Sequence, residues 1–262
     1  MLLLALSALS AHAADGWRLA WCDEFDKDGA PDPAKWNYEE GFVRNHERQY
    51  YTRDRRENAR VAKGILIIEA RTERFAIPRG GGKEEFADYT SASLTTKNRA
   101  AWTYGRIEVK AKLPAGRGTW PAIWTLGRNI DKVGWPTCGE IDIMEFVGHQ
   151  PGVVFVNVHT KGFNHTRGNG RGTRQPLADA SSAFHLYSLE WTPRKLDFGI
   201  DGKSVFVCAN DDKGVDSWPF DAPQFLILNL AIGGTWGGQK GIDDAIFPQQ
   251  FLIDFVRVYQ RQ

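Results

Sequence analysis

Apolar and polar residues alternate with a period of two along much of this chain, and no stretch of a dozen residues shows the i, i+3, i+4, i+7 spacing of an amphipathic helix. Residues 64–70, 105–113 and 153–159 read as strands, as do 185–191, 195–200, 224–231 and 251–259. Turn-forming residues separate them: Pro114-Ala115-Gly116, Gly127-Arg128-Asn129, Asp201-Gly202 and Gly233-Gly234. Asp201-Gly202 suits a two-residue hairpin turn. Many short strands at regular spacing, with no Pro/Ser-rich linker, predict one all-β domain, a sandwich or barrel. Residues 76–86 and 161–175, rich in Gly and charge, are expected to be loops near a site. Within the second, Gly168-Asn169-Gly170-Arg171-Gly172 lacks the strand-to-helix context and the Lys-Ser/Thr ending of a phosphate-binding loop, so nucleotide binding is not expected.

Composition narrows the class. Hydrophobic residues make up 42% of the 262 and charged residues 25%, a globular balance that excludes disorder, collagen and coiled coil. Lys plus Arg number 33 against 32 Asp plus Glu, for a net charge of +1. No global field therefore draws in nucleic acid or an acidic membrane surface. The 10 Trp, 15 Phe and 7 Tyr supply more flat aromatic surface than an ordinary core uses. Leu2 to Leu9 form a short apolar run ahead of Ala11-His12-Ala13, which reads as a secretory signal peptide, residues 1–13, cut after Ala13. An apolar N-terminal strand is the alternative. The run is far shorter than the about 20 apolar residues that span a membrane. Residues 14–262 are then the mature domain, secreted or periplasmic. Cys22, Cys138 and Cys208 permit one disulfide at most and match no zinc spacing.

The most informative stretch is Gly139-Glu140-Ile141-Asp142-Ile143-Met144-Glu145-Phe146. On a regular strand Glu140, Asp142 and Met144 share one face, and Glu145 falls beside Ile141 and Ile143 on the other. An ionised carboxylate buried there without a partner is very costly. A one-residue β-bulge near Met144 removes the conflict: Glu140, Asp142 and Glu145 then point one way, and Ile141, Ile143 and Phe146 the other. In that register the two glutamate Cα atoms lie roughly 13 Å apart. Side chains leaning together reach the separation of about 5 Å used by retaining glycosidases. Asp142 between them crowds the charges and should raise at least one pKa, keeping a proton available near neutral pH. A solvated acidic face is the bland reading, but no Lys or Arg interrupts the three.

The stretch resembles the Glu-x-Asp-x-x-Glu signature of glycoside hydrolase family 16, in the form found in laminarinases and related endo-β-1,3-glucanases. Nearly the whole mature chain takes part. Similar segments are Trp21-Cys22-Asp23-Glu24-Phe25, Asn45-His46-Glu47-Arg48-Gln49-Tyr50-Tyr51-Thr52, Tyr89-Thr90-Ser91-Ala92 and Trp120-Pro121-Ala122-Ile123-Trp124. Val158-His159-Thr160, residues 228–234 and the closing Asp254-Phe255-Val256-Arg257-Val258-Tyr259 match as well. The resemblance implies a β-jelly-roll sandwich of two curved antiparallel sheets with a substrate cleft on the concave face. It implies a retaining endo-β-1,3-glucanase, acting also on mixed-linkage β-1,3-1,4-glucan, with Glu140 as nucleophile, Glu145 as acid/base and Asp142 tuning Glu140. It implies no catalytic cofactor, a β-glucan as partner and a monomeric chain. It further implies a structural calcium held by Glu24, the carbonyl of Gly64 and Asp254. Asp254 shares a face with Leu252, Val256 and Val258, so it should be buried and need a cation or several donors. Pairing with Arg or backbone amides is the alternative.

Flat rings suit the apolar faces of a pyranose. Trp120, Trp124 and Trp135 are expected as sugar platforms, with Trp236 on the far wall and Asn45 as a cleft contact. Core packing is the competing reading for Trp124. Trp17, Trp36, Trp102, Trp191 and Trp218 are read as core or strand-end residues. His159 alternates with Asn157, so both can reach the cleft; a satisfied core histidine is the alternative. His185 is read as structural and Cys138 as an inert thiol. Two other functions compete: a non-catalytic β-glucan-binding jelly roll, and the same chemistry on a galactan such as agar or carrageenan. A sulfated galactan would favour a basic cleft, for which Arg44, Arg48, Arg167, Arg171 and Arg174 are the available residues.

Overall fold

Period-two segments pair as the alternation requires. The computed structural model describes residues 16–78 and 84–262; the expected signal peptide, residues 1–13, lies outside the described residues. In chain order the strands are β1 (Trp17–Asp23), β2 (Asn37–Glu39), β3 (Gln49–Tyr51), β4 (Ala59–Ala62), β5 (Ile65–Ala76), β6 (Phe86–Ser91), β7 (Ser93–Thr95), β8 (Gly105–Lys112) and β9 (Thr119–Gly127). They continue as β10 (Glu140–Phe146), β11 (Val153–His159), β12 (Arg171–Pro176), β13 (His185–Trp191), β14 (Lys195–Ile200), β15 (Lys203–Ala209), β16 (Gln224–Ile232) and β17 (Gln249–Arg261). One sheet runs β15-β14-β13-β8-β17-β5-β6-β3, with β1 on β17 and β4 on β5; the other runs β12-β11-β10-β9-β16-β7-β2. Pairing is antiparallel throughout except for β3 with β6. The two sheets form a jelly-roll sandwich.

Between the sheets lies the main core. Alternate positions of β8 are buried from Gly105 onward, and Ile107, Val109 and Ala111 meet Ile141, Ile143, Met144 and Phe146 of the opposite sheet in one apolar cluster. β9 and β16 are buried at every position, because one face joins this core and the other lies under the cleft. That double burial erases the alternation, which is why β9 does not read as a strand from its pattern. Asp201 and Gly202 both have positive φ, 50° and 76°, and close the β14–β15 hairpin as expected.

Residues 161–175 are not all loop. Arg171–Pro176 forms β12, paired along β11. It is an edge strand of alternating half-buried and exposed polar residues, so no apolar period marks it. Asp254 also differs from expectation. β17 shifts register between Ile253 and Phe255 against β8, and this leaves the Asp254 side chain 33% exposed, with Lys110 Nζ at 2.7 Å.

The bulge in β10 is present. Against β9, Asp142 pairs with Trp124 and Met144 with Ile123; against β11, Asp142 pairs with Asn157 and Glu145 with Phe155. Ile143 is therefore the extra residue, and both Ile143 and Met144 turn into the core. Phe146, 1% exposed, anchors the strand beyond the bulge. Phe146→Ala should lower unfolding free energy by about 3–5 kcal/mol, read from urea denaturation; a loss under about 1 kcal/mol would mean the anchor is not needed.

Candidate active site

The outward face of the second sheet carries a cleft of about 880 Å³. Its floor is made by β9, β10, β11 and β16. Glu140, Asp142 and Glu145 rise from β10, with His159 opposite Glu140 and Asn157 opposite Asp142 on β11. Trp120 and Trp124 come from β9, Asn229 from β16, Trp135 from the loop ahead of β10 and Trp236 from a helical turn, Gly234–Gly237. Every cleft residue expected from sequence lines it: Asn45, Trp120, Trp124, Trp135, His159 and Trp236, with the three carboxylates.

The two glutamates have their own donors, and the aspartate between them does not. Glu145 accepts from Trp120 Nε1 at 3.1 Å and from Asn157 Nδ2 at 2.8 Å. Glu140 accepts from Trp135 Nε1 at 2.8 Å. Asp142 is 2% exposed, and its Oδ2 is buried without a hydrogen bond. His159 Nε2 stands 3.3 Å from that oxygen and 3.8 Å from Glu140 Oε1. Burial pushes the Glu140 carboxyl well above the usual carboxylate range, and the neighbouring Asp142 charge pushes it further. Burial and then the Glu145 charge raise Asp142 well above its range. Burial also raises Glu145, while its two N–H donors pull the other way. Such a group of crowded acids titrates together and shares protons.

A connected network joins two of the expected cleft residues, Asn45 and Trp124, through residues not expected there. Glu47, 7% exposed, accepts from Asn45 Nδ2 at 3.2 Å, Gln49 Nε2 at 2.7 Å and Tyr51 Oη at 3.2 Å. Tyr51 in turn accepts from Asn229 Nδ2 at 2.9 Å, and Asn229 Oδ1 accepts from Trp124 Nε1 at 2.8 Å. The Arg44 guanidinium lies 4.9 Å from the Trp124 ring centre and donates to Glu39. Trp124 is thus both packed and cleft-facing, at 6% exposure. Phe155 and His165 complete the aromatic lining, Phe155 at 4.9 Å from Trp236 and His165 at 5.4 Å from Trp135. A period-two count along β11 reaches Phe155 from Asn157 and His159. Nothing in the local pattern marks Glu47, Asn229 or His165.

Residues read as structural are so placed. Trp17, Trp36, Trp102, Trp191 and Trp218 are buried. His185 is held by Asp201 at 2.7 Å and faces Asp179 at 3.2 Å. All three cysteines are free, and burial pushes the Cys138 thiol up to about 11. Of the three expected calcium donors, Glu24, the Gly64 carbonyl and Asp254, the two carboxylates are otherwise engaged. Glu24 takes both arms of Arg257, each at 2.8 Å, and Asp254 pairs with Lys110. Both charges are met by cationic side chains, so this donor set as arranged does not fit a divalent ion.

A folded carboxyl whose pKa is raised contributes stability that is present below the ordinary carboxylate range and lost as pH rises through the raised value. Glu140→Gln removes that loss. The variant should melt above the native chain at neutral pH, by roughly 2–4 °C per kcal/mol relieved, with the gap closing toward about pH 4. Equal melting temperatures at neutral pH would contradict the raised Glu140 carboxyl.

Known proteins are similar to this chain in sequence and fold. A β-glucanase of Rhodothermus marinus is 47% identical over 270 residues, covering 98% of this chain and 91% of that protein. The structure of the laminarinase from Rhodothermus marinus superposes with a TM-score of 0.86 at 47% identity, over 94% of this chain and 98% of that one. A serine variant of SCLam, a non-specific endo-β-1,3(4)-glucanase, holds 1,3-β-D-cellobiosyl-glucose at its active site; it is 45% identical with a TM-score of 0.88, covering 95% of this chain and 96% of its own. The model of the glycosyl hydrolases family 16 matches residues 46–256. Its own carboxylate strand, its cleft and these likenesses make the chain a glycoside hydrolase that belongs to family 16.

Proposed function

We propose that this chain is a secreted or periplasmic retaining endo-β-1,3-glucanase of the laminarinase type, cutting internal bonds of β-1,3-glucan and of mixed-linkage β-1,3-1,4-glucan. The observation that carries the reading is the bulged strand, which sets Glu140 and Glu145 together on the floor of an aromatic cleft. Four residue steps on β11 separate their pairing partners, His159 and Phe155, so their Cα atoms stand about 13 Å apart. Two glutamates leaning inward from there bring their carboxyls to about 5 Å, the distance for double displacement.

Glu140 attacks the anomeric carbon while the glycosidic oxygen takes the proton of Glu145, and the aglycone leaves. Glu145, now ionised and held by Trp120 and Asn157, takes a proton from water. The water oxygen attacks the same carbon and releases Glu140, so two inversions give retention. Asp142 shares protons with Glu140 and limits the charge that must be ionised at once.

Cleft charge supports a neutral polymer. Of the five arginines available to a sulfated galactan, only Arg44 lines the cleft, against Glu47, Glu140, Asp142 and Glu145. The β-glucan held by SCLam is a neutral chain of the same kind. A structural calcium is the part of the family resemblance that the side-chain arrangement supports least. Its test is whether calcium raises the melting temperature of EDTA-treated protein.

Reducing ends released from laminarin, lichenan, agarose and carrageenan test the assignment. Laminarin should be cut, lichenan as well, and the β-anomer should appear first by NMR. Glu145→Gln should slow laminarin hydrolysis about 10²–10⁴-fold. Release from a galactan alone would overturn the substrate, and a first-formed α-anomer the mechanism. A second expectation concerns pH. The Asn157 N–H holds the Glu145 pKa down, and the acid must be protonated for the first step. Asn157→Ala should therefore move the alkaline limb of kcat/KM to higher pH; an unmoved limb would remove Glu145 from the acid role.

A further inference from the structure

Among the described residues, one group of side chains has metal-ligand character and converging atoms: Glu140, Asp142 and His159, whose donor atoms all lie within 4.8 Å of one another. We propose that these three form a reversible zinc-binding site, through which zinc-class divalent ions shut down the enzyme.

The geometry is specific. Zinc binds nitrogen and carboxylate oxygen at about 2.0–2.1 Å, so neighbouring ligand atoms of a tetrahedral site stand about 3.4 Å apart. His159 Nε2 is 3.3 Å from Asp142 Oδ2 and 3.8 Å from Glu140 Oε1, two edges that a small side-chain adjustment brings to that value. Asp142 Oδ2 is the telling atom. It is buried with no hydrogen bond made to it and faces the imidazole nitrogen, so zinc takes the place of the proton that Asp142 shares with Glu140 at the point where the three side chains meet. One nitrogen and two oxygens suit a borderline ion, whereas calcium wants six to eight oxygens. The fourth position opens on the cleft, where water completes the tetrahedron.

The same contacts set the strength. His159 Nδ1 is buried without a partner, so the ring lacks the acceptor that fixes resident metal-binding histidines. Zinc is therefore held in exchange with the medium and not as a built-in cofactor. While bound it ties up the Glu140 oxygen that must attack the anomeric carbon. Zinc and glycosylation exclude each other at that atom.

Calorimetric titration of zinc chloride into the full chain, in a non-chelating buffer near pH 7, tests the site without requiring turnover, so its outcome is separable from the glucanase assignment. One zinc per chain is expected. Asp142→Asn, which keeps the side-chain shape, and His159→Ala should each weaken uptake about tenfold or more, with circular dichroism confirming that both fold. Under saturating zinc the native chain should lose laminarin hydrolysis, and EDTA should restore it. No saturable uptake, uptake that survives both substitutions, or full hydrolysis with one zinc bound would each overturn the proposal.

Discussion

Three carboxylates on one buried strand must face the same way, and one extra residue makes that happen. With Ile143 inserted, β10 sends Ile141, Ile143, Met144 and Phe146 into the core while Glu140, Asp142 and Glu145 line the cleft. Without it, Glu145 would enter the apolar layer, where an unpaired charge is untenable. The bulge locally interrupts the ladder to both neighbours. In exchange, the two glutamates gain donors: Trp135 for Glu140, and Trp120 and Asn157 for Glu145.

Crowding those acids works against stability and in favour of chemistry. Burial raises all three pKa values, and repulsion from a neighbouring carboxylate adds to it at Glu140 and Asp142, a configuration that the fold tolerates because its scaffold is rigid. β9 and β16 flank and support the carboxylate strand and are buried at every position. Side chains on such strands hold their positions better than side chains on loops. Strain concentrated at the site and compensated by the surrounding sheets is the usual relation between activity and stability.

The cleft wall extends this order outward. From Trp124 through Asn229 and Tyr51 to Glu47, hydrogen bonds link β9, β16, β3 and the loop bearing Asn45. Asn45 itself has a positive φ of 55°, and its carbonyl accepts from the N–H of Thr235, next to Trp236. That bond ties the loop bearing Asn45 to the helical turn bearing Trp236, and the aromatic rings are held by packing and by their own N–H bonds. A rigid, ring-lined groove recognises a polymer with apolar sugar faces at little entropic cost.

Much of this was legible in the residues. Period-two alternation marks β5, β8, β11, β13, β14 and β17, and the impossible placement of Glu145 on a regular strand is enough to predict the bulge. Chemistry so constrained by burial is local, and local constraints are written in the sequence. β9, buried on both faces, and β12, a polar edge strand, carry no alternation and stay hidden, whereas β16, equally buried, still reads as a strand. Asp254 shows the same limit: its strand face reads as buried, but a register shift beside it opens the side chain to Lys110. The tertiary structure alone decided which distant groups converge on the site. Glu47, Asn229 and His165 come from separate segments, and only the stacking of the sheets and the path of their loops brings them to the carboxylates. The sequence by itself determined the acids and the face they share; the three-dimensional packing determined their partners, because a contact between remote segments depends on where the whole chain goes.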